Sequence, residues 1–577
     1  MTFRGRVGLL VALVAAALAL AGTASAHAYL VKTVPSASVV LTAPPPNVQL
    51  TFDEAVEPRF ATISVTDAEA HQQATGPPTR SPSNPDTLVV PLRPHMPEGW
   101  YLVYWRAISV DGHPVQGAFT FAIGPNQGPA PQFAVPKISQ TATTPRLLIA
   151  RWVMFLAVMA AVGLFVLRML IARPVARRAR GSSLRAVSIA FVIASIVGLV
   201  SIPVYLDIST SVDSLRSAFD LGSLVPLFRV TAFGRAYVDL WIVFGLFCIA
   251  AWIALWLDRP DREQRTIGEL GAIAGALIAA GAVLLVPGIA GHAAQTAPRG
   301  LSLLLDWLHL VSGSIWMGGL IGLLVLWWGL GKSNRVAGLR VAVPRFSNVA
   351  FVSVLVLLGS GIGATLIHMP TIASLWQTSY GQAILVKTAL LAVAMLGGAV
   401  NLLITKPRLD AAKSDPARGE QTARLLRSTV RIETVLVVAA VFAAAVLSSL
   451  APPAAALAKE GSALAHVGPG KVATTVHQNG YTLQVLVSPN KAVETNSFAL
   501  KLTKDGKVVR GADVTLGFDM LDMQMTNQEY QLTETAPGVY SHPAPALVMV
   551  GHWGLSFNVT PKNGEPFTAF VVDHATG

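Results

Sequence analysis

His27 is the first residue after a stretch built like an export signal, and its type gives that position chemical weight. Arg4 and Arg6, an apolar run from Val7 to Ala21 and the small residues Ala24-Ser25-Ala26 make up the three-part pattern of a secretory signal peptide over residues 1–26. Cleavage after Ala26 predicts a mature chain that starts at His27. A terminal histidine offers a metal two nitrogens at once, its α-amine and its ring Nδ1, and Cu(II) favours nitrogen-rich tetragonal coordination. One further imidazole completes a three-nitrogen site, and Asp111-Gly112-His113-Pro114 is the candidate source. Asp111 and His113, two residues apart, can face one side of an extended turn, and Gly112 lets the backbone tighten between them.

A second group of reactive types lies in apolar surroundings. Asp306, His309, Gly313 and Met317 follow one another at spacings of three and four, which places them on one helix face. A charge at the centre of a membrane helix costs at least about 2.5 kcal/mol on insertion scales, so such residues are functional candidates. His292, His309 and His368, with Met317 and Met369, would suit a copper relay, because imidazole and thioether are both copper ligands. Asp306, Lys387 and Asn401 are alternatively structural pairs between helices, and Lys387 and Asn401 fall within about 40° of each other on an ideal wheel. The small-residue runs Gly318-Gly319 with Gly322, and Gly359, Gly361 and Gly363, point to close helix packing. A third group, Met520, Met523 and Met525 with His542, Met549 and His552, is rich in soft thioether suited to Cu(I), with core packing by methionine as its alternative.

These residues need three kinds of scaffold. Of the 577 residues 53% are hydrophobic and 13% charged, which is the composition of a membrane protein. The net charge of +12 is then read against a bilayer and gives no support to nucleic-acid binding. The lone Cys248 lies in an apolar stretch, so the chain has no disulfide and no thiolate cluster for a metal.

Apolar stretches long enough to span a bilayer occur near 147–172, 184–206, 236–257, 267–290, 301–330, 346–368, 380–404 and 432–453. The loops after the odd-numbered spans carry 19 Lys and Arg against four on the other side, which predicts those loops to be cytoplasmic and both ends of the mature chain to be outside. Segments such as Val48 to Phe52, Thr62 to Thr66, Leu88 to Leu92, Trp100 to Ile108 and Ala118 to Ile123 alternate in the manner of strands. They predict an all-β sandwich over residues 27–125, joined by a Pro-, Gln- and Thr-rich linker at 126–146 to a membrane domain at 147–453. A second all-β sandwich is predicted over residues 470–577, from strands such as Thr482 to Val487, Phe498 to Thr503 and Leu555 to Val559.

The first of these modules resembles the CopC copper-binding family, from His27-Ala28-Tyr29-Leu30 through Asp111-Gly112-His113 to Gly117-Ala118-Phe119-Thr120-Phe121. The resemblance implies Cu(II) bound by the His27 amine and ring, the His113 ring and the Asp111 carboxylate. Many members add a Met-rich loop for Cu(I), where this chain has only Met96 beside His95. The eight-helix region resembles the CopD membrane family at Gly291-His292, Asp306-Trp307-Leu308-His309, Trp316-Met317-Gly318-Gly319 and Tyr380-Gly381 with Lys387, the fifth span being its best part. The last module is similar to YtkA-like domains through its Met cluster, Gly538-Val539-Tyr540 and His552-Trp553, a family found with copper and cytochrome-oxidase maturation proteins.

Together these readings predict a plasma-membrane copper protein. Cu(II) is captured outside and passed to a relay of His292, His309, Met317 and His368, with Cu(I) at Met520, Met523, Met525 and His552, and a copper chaperone or cuproenzyme is the acceptor. Sequestration without transport is the rival within the class. A copper monooxygenase, which also uses an N-terminal histidine, is the rival outside it. The Asp111 carboxylate speaks against the enzyme, because it would fill the position at which oxygen must bind.

Overall fold

The computed structural model describes residues 30–108, 114–125, 144–450 and 455–576, less 37–38, 53–55, 57, 180–182, 215–216, 295, 297, 332–333, 370, 412–415, 493, 522–527, 548–549 and 563. The expectations on residues 1–26, His27, Asp111, His113, Met523, Met525 and Met549 therefore lie outside the described residues, as does the side chain of His292. The chain folds as two compact units, one helical and one containing both β modules.

The N-terminal module is a sandwich of two four-stranded sheets. One has the order β1-β3-β6-β5, from Leu30–Val34, Asn47–Phe52, Thr87–Pro91 and Thr79–Arg80. The other has the order β2-β8-β7-β4, from Val40–Leu41, Pro114–Ile123, Gly99–Ile108 and Thr62–Thr66. In β3 the residues Val48, Leu50 and Phe52 are buried while Asn47, Gln49 and Thr51 are half-buried, the period of two that sets one face on the core. The long antiparallel pair β7–β8 brackets residues 109–113, so the Asp111-Gly112-His113 segment connects the two longest strands of the module.

Strand β7 departs from simple alternation because both its faces are covered. Tyr101, Val103, Trp105 and Ala107 enter the core of their own sandwich. Leu102 and Tyr104, with Ala118 of β8, instead join the apolar cluster of the C-terminal module. The two β modules therefore share a dry contact and are not independent beads on a chain.

Among the described residues the C-terminal module has ten strands, nine of them on one hydrogen-bonded path. Strand β15 (Gln528–Ala536) pairs with β14 (Asp513–Met520) on one side and β16 (Val539–Ala544) on the other, so the two layers of this sandwich are one folded sheet. Its last ribbon is the antiparallel pair of β17 (Gly551–Thr560) and β18 (Phe567–Ala575), flanked by the short parallel β9 (Ala465–Val467).

Among the described residues, eight helices between the β modules are long and apolar enough to cross a membrane. They run over Pro145–Arg178, Arg185–Val212, Phe233–Leu257, Ile267–Ala290, Arg299–Gly329, Arg335–His368, Ser379–Leu409 and Ala417–Leu447, the first to eighth spans. The sixth and eighth begin earlier than their apolar windows. The extra turns of the eighth are rich in Arg, Ala and Leu, good helix formers that carry a helix beyond the hydrocarbon. The eighth ends at Leu447, ahead of Pro452-Pro453. The first and fifth spans meet backbone to backbone, since a Cβ on Gly318 would lie 2.4 Å from the Gly163 Cα. That is the close packing expected of the Gly318-Gly319 pair.

A buried ion pair fixes the end of the third span to the first. The Asp258 carboxylate accepts a bond from Arg168 Nη1 at 2.8 Å and lies 3.3 Å from Arg173 Nε. Asp258→Ala strands two buried guanidinium groups and is expected to cost about 3–5 kcal/mol. A large fall in Tm, followed by size-exclusion of the heated detergent-solubilised protein, is the readout. Glu263→Ala, which removes the exposed partner of Arg177, should leave Tm where it is.

Candidate metal sites

The best-defined polar cluster in the helical unit joins the fifth, sixth and seventh spans. His309 Nδ1 lies 3.2 Å from the Leu357 carbonyl oxygen and 3.3 Å from Ser360 Oγ. Its Nε2 lies 3.0 Å from Lys387 Nζ. An ammonium has donors and no acceptor, so Nζ donates, Nε2 accepts, and the ring proton belongs on Nδ1, where it faces the Leu357 carbonyl. The ring fits there because the facing residue is small, a Cβ on Gly361 lying 3.1 Å from His309 Cε1. Gly361, a packing residue by its spacing in the sequence, also makes room for the imidazole.

Asp306 stands one turn before His309 and interacts electrostatically with Lys387 and with Tyr237 of the third span, which also interacts with Arg151 of the first. Its carboxylate presses on the fourth span, with Oδ2 2.7 Å from where a Gly288 Cβ would stand. Arg151 continues the polar string by donating to the Tyr205 hydroxyl at 3.0 Å. Lys387 thus supplies a countercharge to Asp306 through space, while its ammonium is hydrogen-bonded to His309. Asn401 is not part of this group. It sits in a π-helical stretch, Asn401–Thr405, and turns to Glu433 and Thr429 of the eighth span. Asn401 follows Lys387 by 14 residues, about 21 Å along the axis at 1.5 Å per residue, so a shared face does not bring it to the same partners.

The other relay candidates are placed apart from this cluster. Met317 is fully buried in the helical core, about 12 Å along the axis from His309 at 1.5 Å per residue. The thioether nearest Gly313 belongs instead to Met159 of the first span, 3.2 Å from a Gly313 Cβ. No linear spacing could have revealed it. His368 ends the sixth span, with Nδ1 2.8 Å from the Ala364 carbonyl and Nε2 3.2 Å from the Thr296 hydroxyl. Both imidazoles whose surroundings are described have their two nitrogens engaged by protein groups, so a metal would reach His309 Nε2 only by taking the place of Lys387.

In the C-terminal module Met520 is buried and stands opposite Trp553 in the β14–β17 register, on the face away from its neighbour His552. The structure does not bring Met520 and His552 together. His552 lies instead directly across from His574 of β18, with ring centroids 4.6 Å apart. His542 is buried with its ring stacked 5.4 Å from that of Tyr530.

Burial pushes the His542 ring down to about 4 from the ordinary 6.5. The unfolded chain therefore binds a proton that the folded chain refuses, and stability is complete above pH 6.5 and falls as pH drops toward 4. The loss is at most about 3 kcal/mol. His542→Phe keeps the ring stack and should remove this acid limb. Hydrogen exchange of the β15–β16 amides at pH 7 and pH 4.5 should show the pH gap narrowing in the variant, and an unchanged gap would assign the acid sensitivity elsewhere.

Among the described residues one group of three His, Cys, Asp or Glu side chains brings its ligand atoms within 4.8 Å, namely Asp67, Glu69 and His71. Asp67 serves there as a turn cap, its Oδ1 accepting the backbone N–H of Glu69 at 3.2 Å and of His71 at 2.8 Å.

Three family models match the chain: CopC domain over residues 30–124, Copper resistance protein D over 340–447, and YtkA-like over 475–557. The second match takes in Lys387 but not the fifth span. The chain is 27% identical over 548 residues, 92% of each protein, to the copper transport protein CutJ of Bacillus subtilis strain 168. It is 36% identical over 98 residues to protein YobA of Escherichia coli K12, 17% of this chain and 79% of that one. It is 31% identical over 112 residues to copper resistance protein C of Escherichia coli, 18% of this chain and 88% of that one.

Proposed function

The chain belongs to the CopC/CopD copper-resistance family and carries a YtkA-like domain as well, and from that premise we propose that it captures Cu(II) outside the plasma membrane and moves copper through its helical core. The first ligand set is the His27 amine and ring, the His113 ring and the Asp111 carboxylate. The membrane relay draws on His292, His309, Met317 and His368. The C-terminal module handles copper in addition, and a copper chaperone or cuproenzyme takes the metal onward. Both β modules lie on the extracytoplasmic side, a reading supported by the excess of Lys and Arg in the loops after the odd-numbered spans.

The observation that carries transport over anchorage is the cluster of Asp306, His309 and Lys387 between the fifth and seventh spans. Two opposite charges and an imidazole in a hydrocarbon layer cost insertion energy that an inert anchor has no reason to bear. The protein is not an enzyme: its family is one of copper transport and resistance. Cellular copper in cells with and without the protein, grown on limiting copper, separates the two readings within that family. Transport inward predicts lower copper in cells without it. Equal copper in the two strains, with survival differing only in excess copper, would favour sequestration.

A further inference from the structure

The outward face of the β17–β18 ribbon presents two imidazoles side by side. His552 and His574 occupy directly opposed positions of the antiparallel register, both half-buried, while their neighbours Trp553 and Asp573 point into the module and are buried. The ring planes are inclined at 32° with centroids 4.6 Å apart. With a metal–nitrogen bond of about 2 Å a metal sits about 3 Å from each centroid, and two centroids 4.6 Å apart then meet at it at roughly a right angle. A linear two-coordinate Cu(I) site would instead need the centroids about 6 Å apart. A right angle is the cis arrangement of a tetragonal ion, and Cu(II) outranks the other divalent first-row metals at nitrogen sites. The buried Asp573 carboxylate, held by Asn490 at 2.8 Å, interacts electrostatically with His552 and favours a cation there.

We propose that His552 and His574 are the paired imidazole ligands of a Cu(II) site on the C-terminal module. The proposal rests on the reading that this module handles copper, and it replaces a thioether site for Cu(I) with an imidazole site for Cu(II). His574 lies 22 residues from His552 in sequence, and only the strand register makes them neighbours.

The test uses the full-length protein in detergent with the N-terminal site silenced by His27→Ala and His113→Ala. Titration with Cu(II) followed by electron paramagnetic resonance should show one further bound ion with two-nitrogen hyperfine structure. His574→Gln and His552→Gln, made separately, should each weaken it at least tenfold while the circular dichroism spectrum is unchanged. As a check that needs no variant, Cu(II) should protect both histidines from diethyl pyrocarbonate, read by mass spectrometry. Full Cu(II) affinity in both variants, or copper binding only as Cu(I) and indifferent to His574, would overturn this site and leave copper handling by the module standing. No further ion bound in either oxidation state would overturn both.

Discussion

With the chain processed after Ala26 as proposed, adding one residue ahead of His27 is expected to abolish the proposed Cu(II) site of the N-terminal module. The extra residue converts the His27 amine into a peptide nitrogen, which loses one donor and the chelate it forms with ring Nδ1. His27→Ala keeps an amine but removes the ring, with the same consequence. Either change should raise the Kd for Cu(II) at least about a thousandfold, about 4 kcal/mol at 1.4 kcal/mol per tenfold. Competition against a chromophoric Cu(II) chelator measures it. His113→Ala should cost nearly as much, because it removes the third nitrogen, whereas Asp111→Ala leaves three nitrogens and should cost less. The controls are His71→Ala, in the turn capped by Asp67, and His477→Ala, whose ring bonds Thr482 at 3.0 Å on an exposed strand; neither should matter. Retained affinity after the one-residue extension would rule out a site built on the terminal amine.

The legibility of this protein in its sequence follows the range of the forces involved. Burial on one face is a local pattern, so β3, β4 and β6 could be read from alternation. Strand β7 could be found but not understood, because Leu102 and Tyr104 are covered by a module that begins more than 350 residues later. The two-residue strands β2 and β5 carry too few side chains to show any period. In the helical unit, hydropathy marks the spans, while its windows miss the polar turns at Ala417, where helix propensity and not apolarity continues the helix.

Site geometry was legible only where one element supplies it. The shared face of Asp306 and His309 follows from helix periodicity. The contact between His309 and Lys387 joins residues 78 positions apart and needs the packing of two spans. An ideal wheel puts Asn401 near the face of Lys387, but 14 residues are about 21 Å of helix, and at that level the neighbour is Glu433. Proximity in sequence points from His552 to Met520 and not to His574, whereas strand register sets Met520 on the far side of the ribbon and His574 directly opposite.

The cluster of Asp306, His309 and Lys387 lends itself to a test that separates folding from transport. Lys387→Met leaves the Asp306 carboxylate among apolar helices without its cation, and Asp306→Asn strands the ammonium. Each should destabilise the bundle by about 1–3 kcal/mol and lower the yield of folded protein. The double variant removes both charges and should recover most of that loss, since what is costly is the unpaired charge and not the absence of the pair. A purely structural pair predicts that copper accumulation recovers along with the yield. A transport role predicts that it does not, and that His309→Ala and His292→Ala, which change no charge balance, abolish accumulation while the protein is made normally and its N-terminal module still binds Cu(II). Measured side by side as folded protein by size-exclusion and cellular copper by mass spectrometry, the two quantities should part company in the double variant. Normal accumulation in both the charge-neutral double variant and the His292/His309 double variant would reduce the eight spans to a scaffold. Copper chemistry would then lie with the β unit alone, and sequestration would be the better account of the protein.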